Sequence, residues 1–213
     1  VSSHELYHTW NVKAIRPIEM FPYDFIKENY SRLGYIYEGV TTYQGDLFLM
    51  KCGVFNEQEY FNELQAQFQK HFDNHGRFNY SVSESSFDTW LDGYVPGVPN
   101  RKVSIYTEGC LLAFVTDVNI RRATLNKSGI DELMKRLYFN YALQGEGVSE
   151  EDYKTVIEDI TGESQTDFFD NFINGCMPYE SIITKSLEYL GLELDHQPST
   201  SYAEGRLGFK VIK

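Results

Sequence analysis

Two histidines four positions apart, with a glutamate behind the first, make up His4-Glu5-x-x-His8. On a helix, residues four apart lie on one face, a turn above one another. His4 and His8 can therefore aim two imidazole nitrogens at one point, which suits a zinc ion. Glu5 would lie beside that ion. There it can take a proton from a water that the metal has made more acidic. The competing expectation is a surface helix with two solvated histidines.

Two imidazoles do not complete a catalytic zinc site, which takes three protein ligands and leaves one position open. Glu38 is the best candidate for the third, in Tyr37-Glu38-Gly39-Val40 near the start of a second helix. The 30 positions after His8 leave room for the chain to turn back. Gly39, lacking a side chain, would let the two helices approach beside the metal. Asp46, two turns further along, could orient a ligand imidazole from behind. A solvated helix start and a solvated carboxylate are the plain alternatives for these two acids.

The pattern around these residues is helical. The first helix is expected from about Ser2 or Ser3, as N-cap, to about Ala14. A long connection follows from Arg16 to Leu33, because Pro17 and Pro22 oppose helix. Further helices are expected over about Ile36–Cys52, Asn56–Phe72, Ser83–Leu91, Val103–Ala123 (or a short extended entry and then a helix), Ile130–Leu143, Ser149–Gly162, Gln165–Asn174 and Tyr179–Leu190. Asn56-x-x-Glu59 resembles a capping box, and Ser149-x-x-Asp152 starts a later helix. Trp90 is expected on a buried face, and Gly93, Pro96, Gly97 and Pro99 form a loop. Leu192–Leu194 and Arg206–Ile212 look like strands. The polar stretch Asp195–Glu204 between them marks a domain boundary.

The 213 residues are 42% hydrophobic and 15% aromatic, enough for a substantial core. A net charge of -12 argues against nucleic acid and anionic membrane as partners. Cys52, Cys110 and Cys176 are too scattered for a disulfide framework and read as buried free thiols in helices. No apolar run is long enough to span a membrane. His71, His75 and His196 default to solvent. A helix with metal ligands seldom opens a domain, so the chain is expected to begin within one.

The string His4-Glu5-Leu6-Tyr7-His8-Thr9-Trp10-Asn11-Val12-Lys13-Ala14-Ile15-Arg16-Pro17 resembles the glycyl-aminopeptidase-type zinc metallopeptidases that carry a PDZ domain. So does Glu38-Gly39-Val40-Thr41-Thr42-Tyr43-Gln44-Gly45-Asp46-Leu47. These are relatives of aminopeptidase N among the thermolysin-like gluzincins. The resemblance implies that Glu38 is the third zinc ligand. It also implies, through Ser104-Ile105-Tyr106-Thr107-Glu108-Gly109, that Tyr106 stabilises the oxyanion. Glu108 departs from the lysine more common there. Asn11, Lys13 and Arg16 belong to the first string and are expected to tie the first helix to its neighbours.

The fold expected from all this is mainly α: the helical C-terminal lobe of a gluzincin catalytic domain over 1–194, then a linker and the opening strand of a truncated PDZ domain over 195–213. The expected partners are a peptide substrate and an upstream half of the catalytic domain, which would grip the substrate's N-terminus. The expected activity is zinc-dependent peptide hydrolysis by an aminopeptidase, with the isolated segment inactive. The alternative is a non-catalytic helical scaffold without a competent metal site. Compartment and substrate preference are left open.

Overall fold

The structure, a computed structural model, describes residues 1–92, 98, 100–198 and 206. Helix α6 (Ile105–Ala123) forms the axis of the molecule. Its residues Leu111, Leu112, Ala113, Phe114 and Val115 are all buried in succession. A helix apolar on every side needs neighbours on every side. These are α2 (Thr41–Lys51), α3 (Glu57–Asp73), α4 (Val82–Phe87), α7 (Ile130–Asn140), α8 (Glu150–Thr161) and α10 (Glu180–Tyr189). Short helices α1 (Ser2–Tyr7), α5 (Thr89–Asp92) and α9 (Thr166–Phe168) complete the set of α-helices among the described residues. Two π-helical turns, Tyr35–Val40 and Phe169–Ile173, lead into α2 and follow α9. The expected mainly helical fold is what forms. Among the described residues the only β pairing is two isolated bridges, Asn11 with Ile15 and Pro17 with Val148.

Capping chemistry sets several boundaries where the sequence places them. Asn56 accepts from the Glu59 amide at 2.9 Å, and the Glu59 carboxylate accepts from the Asn56 amide at 2.8 Å. Ser149 and Asp152 repeat the arrangement at the start of α8. Gly162 ends α8 at φ +70°, a conformation that a Cβ penalises. Asn56→Ala is expected to cost about 1 kcal/mol. Thermal unfolding should show this as a fall of roughly 2–4 °C.

Other expectations are corrected. The first helix ends at Tyr7, and residues to Ile15 follow in successive turns. The cause is Asn11, whose buried side chain turns inward and donates to the Ile36 carbonyl at 2.9 Å and to Thr41 Oγ1 at 3.1 Å. Neither Ser2 nor Ser3 caps α1; Val1 holds the N-cap position, and Ser3 Oγ donates to the Gly45 carbonyl at 2.7 Å. Trp90 is about half exposed, with its indole N–H donating to the Asn29 carbonyl. Cys52 is exposed at the end of α2, and only Cys110 is a buried thiol in a helix.

Leu192–Leu194 forms no strand; Leu192 and Leu194 instead pack part-buried against the core. Residues 195–198 are exposed coil. The expected loop at Gly93, Pro96, Gly97 and Pro99, the rest of the linker and, beyond Arg206, the strand to Ile212 lie outside the described residues. No described helix is long and apolar enough to cross a membrane.

Candidate metal centre and active-site cleft

Three elements bring the candidate ligands together. Helix α1 carries His4, with His8 at its C-terminal cap. The first π-turn carries Glu38, and α2 continues from it beneath α1. An ideal Cβ on Gly45 would lie 3.1–3.2 Å from the backbone of His4, so α1 rests close on α2 at this point. Gly39 was expected to provide that approach. It serves another one: its Cβ would fall 2.3 Å from Gly109 Cα, so the π-turn and α6 touch backbone to backbone. Glu38 is thereby fixed relative to α6, one residue from the contact.

Glu38 Oε2 lies 3.3 Å from His4 Nε2 and 3.3 Å from His8 Nε2. One donor atom from each residue falls within 4.8 Å of the other two. These separations are long for hydrogen bonds. They match the ~3.3–3.4 Å edge of a tetrahedron whose metal–ligand bonds are ~2.0–2.1 Å.

The outer partners fix the tautomers to suit. His8 Nδ1 is 2.8 Å from the Asn11 carbonyl, which only accepts, so the proton sits on Nδ1 and the Nε2 lone pair faces Glu38. Thr42 Oγ1 donates to the Glu38 carbonyl at 2.8 Å and so stands as acceptor toward His4 Nδ1 at 3.4 Å. Two lone pairs and a carboxylate thus converge, and a cation among them relieves the repulsion.

Without a cation a proton must serve, and the electrostatics show it. The contact with Glu38 outweighs burial and raises the His8 pKa, with the Asn11 carbonyl adding to the rise. Burial pushes Glu38 upward, but its contacts with His4 and His8 prevail and hold its carboxyl below the usual range. This donor set, two imidazoles and one carboxylate, fits zinc, and His4, His8 and Glu38 would hold it.

Of the trio, His4 lines a cleft of about 640 Å³, together with Glu5, Thr42, Asp46, Tyr106 and Glu108 among others. Glu5 is exposed toward solvent. Tyr106, the second residue of α6, sets its ring 6.0 Å from that of His4 at 28°. Asp46 lines the cleft, and burial together with Glu63 raises its pKa. The group at His4 Nδ1 is Thr42, one turn before Asp46 on α2. Sequence reasoning passed over Thr42 and the Asn11 carbonyl, although both follow from spacing: Thr42 is four after Glu38, and Asn11 three after His8.

His71 overturns its expectation. It is fully buried, with Nδ1 2.7 Å and 3.0 Å from the two Glu108 oxygens. His75 and His196 are exposed as expected. Lys13 is exposed, and Arg16 donates to the nearby Lys13 carbonyl at 3.3 Å and lies over the Phe21 ring at 5.9 Å. Of the three residues thought to tie the first helix down, Asn11 makes the buried contacts.

A solved structure shares this helical architecture: an aminopeptidase N family protein from Idiomarina loihiensis superposes with a TM-score of 0.79 at 27% identity over 88% of the chain. The chain spans 32% of that structure's length. No curated protein matches the sequence. Residues 1–112, which include His4, His8, Glu38 and Tyr106, match the family model described as M61 glycyl aminopeptidase. The chain belongs to that family of peptidases.

Proposed function

We propose that this chain carries the zinc site of a peptidase that removes residues from the N-terminus of peptides. The observation that carries the reading is the convergence of His4, His8 and Glu38 donor atoms within 4.8 Å beside an open cleft. Bound zinc would supply Lewis acidity to the scissile carbonyl and to the attacking water.

The chain's own residues would do the rest. The Asn11 carbonyl and Thr42 hydroxyl keep both imidazoles in the ligating tautomer. Glu5, next to His4 on α1, would accept the proton of the nucleophile and deliver it to the departing amine. Tyr106 would donate its phenolic hydrogen bond to the oxyanion of the tetrahedral species, where negative charge develops. In a catalytically active form of the protein, Tyr106→Phe is expected to lower kcat by on the order of 10²–10³, the usual loss of one such donor. Turnover equal to wild type would remove the residue from the mechanism.

Hydrolysis also needs the carbonyl held within ~3.5 Å of the attacking atom. The surface that grips a free N-terminus is proposed to come from the remainder of the catalytic domain, so the 213-residue chain alone should bind zinc weakly and cleave nothing. Zinc titration of the chain by calorimetry should show one site per molecule. At a zinc concentration 100 times the dissociation constant, binding should stabilise the fold by about 2.7 kcal/mol. Glu38→Ala and His8→Ala should each abolish both signals. Zinc binding of equal strength in those variants would sink the metal assignment. Chelator-sensitive hydrolysis by the chain alone would show that the site is complete without further sequence.

A further inference from the structure

Three consecutive residues at the start of α6 reach three different partners. Thr107 Oγ1 donates to Gln67 Oε1 at 3.1 Å. Glu108 meets His71 with both oxygens. Gly109 lies against Gly39. Gln67 and His71 are four apart on α3 and so share one face. The first turn of α6 is thus strutted to α3 by two adjacent bonds and pressed on its other side against the π-turn that holds Glu38.

The His71–Glu108 strut is the stronger of the two, and its chemistry is determined. Arg77 Nη1 lies 3.4 Å from His71 Nε2. A guanidinium only donates, so Nε2 is the acceptor and the ring proton sits on Nδ1, directed at Glu108. Arg77 is itself held by Glu180 Oε1 at 2.9 Å. The Tyr179 ring stacks on the imidazole at 4.9 Å and 16°. A polar relay therefore runs from α10 through Arg77 and His71 to Glu108, with His71 and Glu108 almost wholly buried. Such buried polar groups seldom add more stability than an apolar replacement would. What this relay does add is a fixed roll and height for the turn that carries Tyr106. A misplacement of 1 Å at a reacting centre is enough to cost about 10²-fold in rate.

We propose that His71 and Glu108 are positioning residues for Tyr106, holding its phenol over the His4–His8–Glu38 trio. The catalytic consequence rests on the peptidase reading above; the placement itself does not.

The two are tested separately. In the 213-residue chain, 3-fluorotyrosine placed at position 106 reports the ring's surroundings by ¹⁹F NMR. His71→Ala should shift and broaden that resonance. His71→Asn, whose amide nitrogen stands where Nδ1 stood and can still donate to Glu108, should restore it. His75→Ala, at an exposed site, should leave it unmoved. If His71→Ala does not fold, His71→Gln, whose amide stands where Nε2 stood and leaves nothing at Nδ1 to donate to Glu108, should shift the resonance by itself. A resonance unmoved by whichever of these two variants folds overturns the proposal.

In an active form, His71→Ala should lower kcat about tenfold with KM unchanged and should add no further loss in a Tyr106→Phe background. An equal loss in both backgrounds would assign the relay a purely structural role and overturn the proposal. If no form hydrolyses peptides, the peptidase reading fails, and the ¹⁹F result alone decides the positioning.

Discussion

Replacing Glu5 with Gln is expected to leave the zinc content of the protein unchanged and to lower kcat by about 10²–10⁴-fold, the usual contribution of a positioned general base. Glu5 lines the cleft beside His4 and is absent from the ligand trio. The amide keeps the size of the carboxylate but cannot take a proton. Metal analysis and steady-state kinetics on the same preparation check both halves. KM should stay close to wild type, because the lost interaction acts in the transition state. A variant that lost zinc would make Glu5 a structural partner of the ligands. One that turned over normally would move the base elsewhere in the cleft.

The second large effect is on stability. Gly39→Ala would set a methyl 2.3 Å from Gly109 Cα and 2.9 Å from the Cys110 amide nitrogen, both main-chain atoms that no rotamer change can move. The helices must separate, and the loss should reach the upper end for overpacked cores, about 3 kcal/mol. Urea unfolding should show the midpoint falling by roughly 1–2 M, for a slope of ~2 kcal/mol/M. Because Glu38 is the preceding residue, zinc affinity should fall as well. An Ala variant as stable as wild type would show that the close approach is not required. Gly45→Ala should be milder, since its nearest contact is 3.1 Å.

The site was legible where its chemistry is local. His4, Glu5 and His8 form one short pattern, and helical spacing predicts the common face of the two histidines. The capping box at Asn56 and the helix start at Ser149 were legible for the same reason: each is closed within four residues. What depended on tertiary contact was not. Asn11 ends the first helix early because its side chain finds the Ile36 carbonyl 25 positions away. His71 looked like a surface residue because its partner Glu108 lies 37 positions on, and no periodicity links them. Glu108 itself stood out only as a departure from the lysine more common in the resembled family. The structure gives that departure a partner. Gly39 was read correctly as a point of close approach, but against the wrong helix, because sequence shows that a residue is small and not what it faces.

The same architecture divides the molecule by rigidity. Helix α6 is buried along most of its length, so its central amides should exchange with solvent deuterium only when the whole fold opens. Helix α1 has six residues, too few to persist unaided, and relies on Ser3 with Gly45 at one end and Asn11 with Ile36 beyond the other. It should open alone, far more often than the core. Two of the three candidate metal ligands ride on that lightly tethered element, while the third is bolted to the core through Gly39. Zinc would then act as a clasp between the two, and its rate of escape would follow the fraying of α1, a motion that amide exchange at Leu6 and Tyr7 would register directly.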